Sequence, residues 1–223
     1  MRNGFRSELD ELQEDILKMG TKVETIIYES LKSLANGDLE MAKRLIAEDD
    51  AIDRMELEIE KKCLTMLALQ APLAGDLRVV GTALKLITDL ERMADHAADI
   101  AKVTIRLDGQ ALIKPLIDLP RMAELARGML RDALWAFTNR DAMVAMKVIR
   151  QDDEVDSLYK QVFRELLVLM IEETKNINQA TQLLFVAHRL ERIADHATNL
   201  GEWVHYMVTG VRKPLRASGV NPV

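Results

Sequence analysis

The sequence predicts an all-α fold, built as two tandem three-helix bundles from an internal duplication. Three observations predict it. The first is composition: of 223 residues, 48% are hydrophobic but only 4% aromatic, with ten glycines and five prolines. Leu, Ala, Met, Glu, Lys and Arg dominate. These are strong helix formers, whereas β folds draw on β-branched and aromatic residues. The second is periodicity. Apolar residues recur every seventh position at Leu45, Ile52, Ile59 and Met66, and again at Val148, Val155, Val162 and Leu169. That period is a packing seam for helices lying nearly side by side. The third is repetition. Leu90-Glu91-Arg92-Met93-Ala94-Asp95-His96-Ala97 and Leu190-Glu191-Arg192-Ile193-Ala194-Asp195-His196-Ala197 agree at seven of eight positions, 100 residues apart. Upstream, Glu48-Asp49-Asp50-Ala51-Ile52-Asp53 resembles Gln151-Asp152-Asp153-Glu154-Val155-Asp156, 103 residues on. Two matches in the same order mark a duplicated unit.

Breaks in the pattern divide each unit into three helices. The first helix is predicted from Ser7 to Ala35, and Asn36-Gly37 stop it. Asp38 is the expected N-cap of the second, which ends near Gln70 before the loop Ala71 to Gly75. Asp76 is the expected cap of the third, which fades near Asp108-Gly109. A linker from Gly109 to Leu119 carries Pro115, and Pro120 suits the first turn of the fourth helix, which ends near Asn139. The fifth runs from Asp141 to about Thr174 and the sixth from about Asn178 to Thr209. The expected units are residues 1–110 and 118–210, with a disordered tail over 211–223, where Pro214, Gly219 and Pro222 fall.

The charge balance bounds the function. A formal net charge of −6 gives no basic footprint for nucleic acid. A single cysteine, Cys63, excludes an internal disulfide framework and falls at an apolar helix position, which predicts a core residue and not a catalytic thiol. The twelve methionines read as adaptable core filler in preference to a partner-binding groove. Met1 to Leu9 lack the apolar core of a signal peptide, and the longest apolar run, Leu166 to Ile171, is too short to span a bilayer. The expected protein is cytoplasmic and not membrane-spanning.

The informative residues are acidic. Asp49 and Asp53, Glu91 and Asp95, Asp152 and Asp156, and Glu191 and Asp195 form four pairs, each four residues apart. Such pairs share one helix face. At about 100° per residue, Glu91 and Asp95 lie roughly a quarter turn from the apolar stripe of their helix. Asp49 and Asp53 flank their seam in the same way. The acids are therefore expected to border the packed seam while reaching solvent, which avoids the cost of burying charge. Two pairs on adjacent helices would gather four carboxylates along one groove.

Like charges at this spacing repel, and something should offset them. One candidate is a hard cation, since carboxylate oxygens suit Mg²⁺, Mn²⁺, Ca²⁺ or iron. The other is local pairing with Arg92 and Arg192, which would leave a solvated acidic face. His96 and His196 project about 100° past the aspartates and are expected beside the site, not as ligands. His188 and His205 stand where the first copy has Thr88 and Ile105, and carry little signal. The chain has no Walker-type phosphate loop and no Gly-x-Ser-x-Gly elbow. An oxygen-activating di-iron centre needs two Glu-x-x-His motifs, and only Glu202 to His205 fits.

The duplicated unit, the acid pairs and the doubled Leu-Glu-Arg-x-Ala-Asp-His-Ala block resemble the PhoU family of phosphate-specific transport accessory proteins, from about Leu9 to Gly210. The resemblance implies two three-helix bundles bearing multinuclear metal clusters, of iron or of zinc, manganese or magnesium. Carried over, one site is Asp49, Asp53, Glu91 and Asp95, and the other is Asp152, Asp156, Glu191 and Asp195. Asp99 becomes Asn199, so a ligand role there would differ between the copies. The resemblance further implies a non-enzymatic negative regulator of phosphate uptake and phosphate-starvation signalling. Such a protein would connect the phosphate ABC transporter's ATPase subunit to a sensor histidine kinase, as a homodimer or larger assembly. Against it stand two other readings of the same acids: a metal-dependent hydrolase or redox enzyme, and a metal-storage helical scaffold.

Overall fold

The structure, a computed structural model, describes residues 2–212. Among the described residues the chain forms six α-helices, one short 3₁₀ turn and no strand: α1 (Arg2–Asn36), α2 (Leu39–Gln70), α3 (Ala74–Leu107), α4 (Asp118–Asn139), α5 (Ala142–Glu172) and α6 (Ile177–Thr209), with the 3₁₀ turn at Thr174–Asn176. The disordered tail expected over 211–223 lies outside the described residues from 213 onward.

Local chemistry explains most boundaries. Asp38 caps α2 by accepting from the Met41 amide at 2.9 Å. Asp141 caps α5 by accepting from the amides of Met143 and Val144, at 2.8 and 3.1 Å. Each carboxylate satisfies amide donors that have no partner inside the helix and sits at the positive end of its dipole. Asp76 is not a cap. The helix begins earlier, at Ala74, and its flanking residue Leu73 makes no side-chain cap. Asp76 lies inside the first turn, where its charge still favours the helix dipole. The first helix also begins earlier than Ser7, and the 3₁₀ turn leads directly into α6 ahead of Asn178.

The heptad seams are buried as expected at Leu45, Ile52, Ile59, Met66, Val148, Val155 and Val162. At the end of α5 the seam drifts: Leu166 is buried and Leu169 only half-buried. A straight helix of 3.6 residues per turn slips about 20° per heptad, so a strict seven-residue spacing rotates off the interface. Cys63 is fully buried.

α1, α2 and α3 pack on one another, as do α4, α5 and α6. The two units are also joined. α3 packs along α6 and α1 along α4, and one continuous apolar core draws residues from all six helices. α3 and α6 run antiparallel. Arg78 near the start of α3 donates to the Met207 carbonyl near the end of α6 at 3.1 Å, and Asp89 meets His196 at 2.8 Å. Along the other junction Glu24 of α1 pairs with Arg127 and Arg131 of α4, at 3.0 and 3.2 Å. The duplicated halves thus meet about an approximate two-fold axis.

Candidate metal centre

The first centre lies between α2 and α3. α2 supplies Asp49 and Asp53, and α3 supplies Glu91 and Asp95. The acids raise one another's proton affinity. Burial, then the charges of Asp95 and Asp53, push Asp49 up to about 6. Asp95, on the neighbouring helix, is the largest charge acting on Asp49. Glu91 is pushed up to about 7 by burial, then by Asp95, with Arg92 opposing and with Glu56 and Asp53 adding to the rise. Asp49 Oδ1 is buried and has no hydrogen-bond partner.

The second centre lies between α5 and α6 and holds Asp152, Asp156, Glu191 and Asp195. Burial and the charges of Asp195, Asp156 and Asp152 push Glu191 up to about 7 against Arg192. The expectation that all eight acids reach solvent fails here. Asp152 is only 9% exposed and belongs to the buried part of α5. In the first centre Asp53 is exposed. The second is therefore the drier of the two.

Local pairing occurs as well. Arg92 Nε lies 3.3 Å from Glu91 and its Nη1 3.3 Å from Asp95. Arg192 lies 2.8 Å from Asp195. Arg92 in one centre and Arg192 in the other, with Lys102 acting on Asp49, oppose the repulsion, and the net effect on Asp49, Glu91 and Glu191 is still a raised carboxyl. The surroundings also differ. Beside Glu191 stands His188, with Nδ1 at 3.4 Å but no hydrogen bond to it, and the His188 ring is 6.2 Å from that of Tyr159. The first centre has Thr88 and Glu56 at these positions.

The donor set fits a hard divalent cation by type, being all carboxylate. The unpartnered oxygen of Asp49 and the raised carboxyl groups mark places where a positive charge would be stabilising. As the side chains stand, no three His, Cys, Asp or Glu residues among the described residues form a group that could hold an ion.

The PhoU domain family matches the chain twice, over residues 16–104 and 119–204. The chain belongs to the PhoU family. The PhoU-family relatives include the "phosphate-specific transport system accessory protein PhoU homolog" of Clostridium acetobutylicum, 43% identical over 96% of this chain and 98% of that protein. The Zymomonas mobilis protein of the same name is 40% identical over 96% of this chain and 91% of its own length. Among solved structures, PhoU from Pseudomonas aeruginosa superposes with a TM-score of 0.89 at 33% identity, covering 93% of this chain and all of that one. The phosphate transport system regulatory protein PhoU from Streptococcus pneumoniae gives 0.88 at 35% identity, over 94% and 99%.

Sequence reasoning missed the polar network that joins the PhoU repeats. His96 and His196 meet at the α3–α6 junction with ring centroids 5.4 Å apart. Asp89 accepts at 2.8 Å from His196 Nδ1 and at 3.2 Å from Asn199 Nδ2. Asp99 pairs with Lys102 at 2.8 Å and with Arg189 at 3.0 Å. Burial first, then His196, Arg189 and Arg192, lower His96 to about 4, with Asp99 opposing. The signal was present in the repeat alignment: Asp89 stands opposite Arg189, and Asp99 opposite Asn199. Complementary replacement at equivalent positions is what two halves in contact would show.

Proposed function

We propose that this chain is a cytoplasmic, non-catalytic regulator of phosphate uptake and phosphate-starvation signalling, an adaptor between the phosphate ABC transporter's ATPase subunit and a sensor histidine kinase. In this reading residues 1–110 and 118–210 are its two working units, and it assembles as a homodimer or larger. The observation that carries the reading is family membership along nearly the whole chain, joined to relatives named as accessory or regulatory proteins of phosphate transport. No helix among the described residues is long and apolar enough to cross a membrane, which suits a protein that docks on a membrane complex from one side.

The same reading places divalent metal at both centres: Asp49, Asp53, Glu91 and Asp95 in one, Asp152, Asp156, Glu191 and Asp195 in the other. Iron, zinc, manganese and magnesium are the candidates. A bound cation would supply positive charge beside the carboxyl groups that burial and neighbouring acids raise. The chain's own part is to hold four carboxylates at fixed heptad positions and to keep one side of each centre dry.

Two measurements test this. Deleting the gene in a cell with no paralogue is expected to derepress alkaline phosphatase in phosphate-rich medium, and unchanged phosphatase would reject the regulatory role. Mass-spectrometric metal analysis of untagged protein is expected to find several ions per chain, lost in the Asp95→Asn/Asp195→Asn double variant. Turnover of a phosphate ester by metal-loaded wild type, abolished by Asp95→Asn, would instead favour an enzyme. Ions far in excess of the eight acids would favour storage.

A further inference from the structure

Away from both acid centres, a groove of about 340 Å³ opens between α3 and α6 toward the end of α6. Trp203 lines it. Lys85 Nζ lies 5.7 Å from the indole centroid and the Arg212 guanidinium carbon 4.3 Å from it. Neither cation has an ion-pair partner among the described residues. Two carboxylates line the groove, Asp89 and Glu202. Asp89 is already engaged by His196 and Asn199. Glu202 stands without an ion pair among the described residues.

The approximate two-fold axis provides an internal control. At the equivalent positions of the other half stand Phe185 for Lys85, Lys102 for Glu202 and Val103 for Trp203. The cations there are spent: Lys102 and Arg189 both pair with Asp99. Fold symmetry therefore does not require two unpaired cations on an indole. They belong to this half alone.

An aromatic platform with adjacent cations takes a planar base and a phosphate. The Glu202 carboxylate in the lining would repel a bare anion, but it accepts hydrogen bonds from ribose hydroxyls, as acidic residues do in dinucleotide sites. The volume lies at the lower end of small-molecule sites, which suits a mononucleotide. We propose that this groove binds a nucleoside monophosphate, with its base on Trp203, its phosphate on Lys85 and Arg212, and its ribose toward Glu202. Arg212 follows the end of α6 and its side chain covers the indole, so a base would enter by displacing it.

The chain has two tryptophans, so Trp135→Phe leaves Trp203 as the single indole, excited selectively over the three tyrosines at long wavelength. Titrating that variant with AMP is expected to quench fluorescence to saturation, and calorimetry on the wild-type chain to give the same affinity. Lys85→Gln and Arg212→Gln are each expected to weaken AMP by about tenfold, the size of one lost charge-assisted contact. Helix content by circular dichroism should stay unchanged. Adenosine and inorganic phosphate are expected to bind far more weakly than AMP. The proposal is overturned if AMP gives no saturable signal at millimolar concentration, or if both charge variants bind as wild type. It is equally overturned if inorganic phosphate or adenosine alone matches AMP.

Discussion

Glu91 and Glu191 each sit beside aspartates of their own and the neighbouring helix, and burial with those charges pushes each up to about 7 from the ordinary 4.5. The sign of the consequence follows from proton counting. Between those values the folded state binds more protons than the unfolded state, so metal-free stability falls as pH rises. The contribution is fully present below about pH 4.5 and is lost as pH climbs through about 7. His96, lowered to about 4 from 6.5, acts in the opposite direction. The test is therefore a difference. In EDTA, Glu91→Gln/Glu191→Gln should be more stable than wild type at pH 8 by on the order of 2 kcal/mol, and the gain should vanish by pH 4. Urea midpoints across pH would measure it. A gain that grows toward acid would contradict the grouping of these acids. The eight acids themselves were legible, because spacing by four residues fixes a shared helix face. Their unequal depth was not. Asp152 is buried because α5 and α6 pack closely around it, and that depends on neighbours whose positions no local pattern encodes.

At the level of elements, the turns between α1 and α2 and between α4 and α5 are equivalent, and each holds a left-handed residue. It is Gly37 at φ +62° in one and Arg140 at φ +53° in the other. Only the glycine adopts that conformation without a steric cost. Arg140→Gly is predicted to raise stability by about 0.5–1 kcal/mol, readable as a higher melting temperature. Gly37→Ala should lower it by about 1 kcal/mol. The α5–α6 contact depends on another glycine. A Cβ at Gly201 would meet the Ala145 carbonyl at 3.0 Å, with Ile149 and Val148 close behind. Gly201→Ala is predicted to cost roughly 1–3 kcal/mol by forcing the helices apart. A thermal melt indistinguishable from wild type would show that α5 yields freely. Caps at Asp38 and Asp141 could be read directly, because a carboxylate after a helix stop has one evident use. Asp76 could not, since Ala74 takes a left-handed φ of +43° that no residue preference announces and the helix starts there.

The whole molecule behaves as one unit in its packing. Residues of all six helices contribute to one core, and α3 and α6 each lose a face to the opposite half. Chemical denaturation of the intact chain is predicted to show one cooperative transition, with fluorescence and circular dichroism coinciding. Residues 1–110 alone are predicted to expose the α1 and α3 faces and to self-associate or melt well below the full chain. Two resolved transitions, or a monomeric and equally stable half, would mean that the junction contributes little. The sequence made the duplication plain, because the repeated blocks are long. It did not show how the copies dock, which depends on side chains that differ between them.

Those differences have a consequence for the history of the chain. A molecule made from two copies of the first unit would bring Asp89 up against a second Asp99, acid on acid at hydrogen-bond distance. One made from two copies of the second would set Arg189 before His196 and Asn199, with no acid to receive it. The present pairs, Asp89 with His196 and Asn199, and Arg189 with Asp99, need one copy of each. The halves have become non-interchangeable, like a lock cut to one key, and separation into a self-pairing single repeat is closed to this sequence unless both positions revert together.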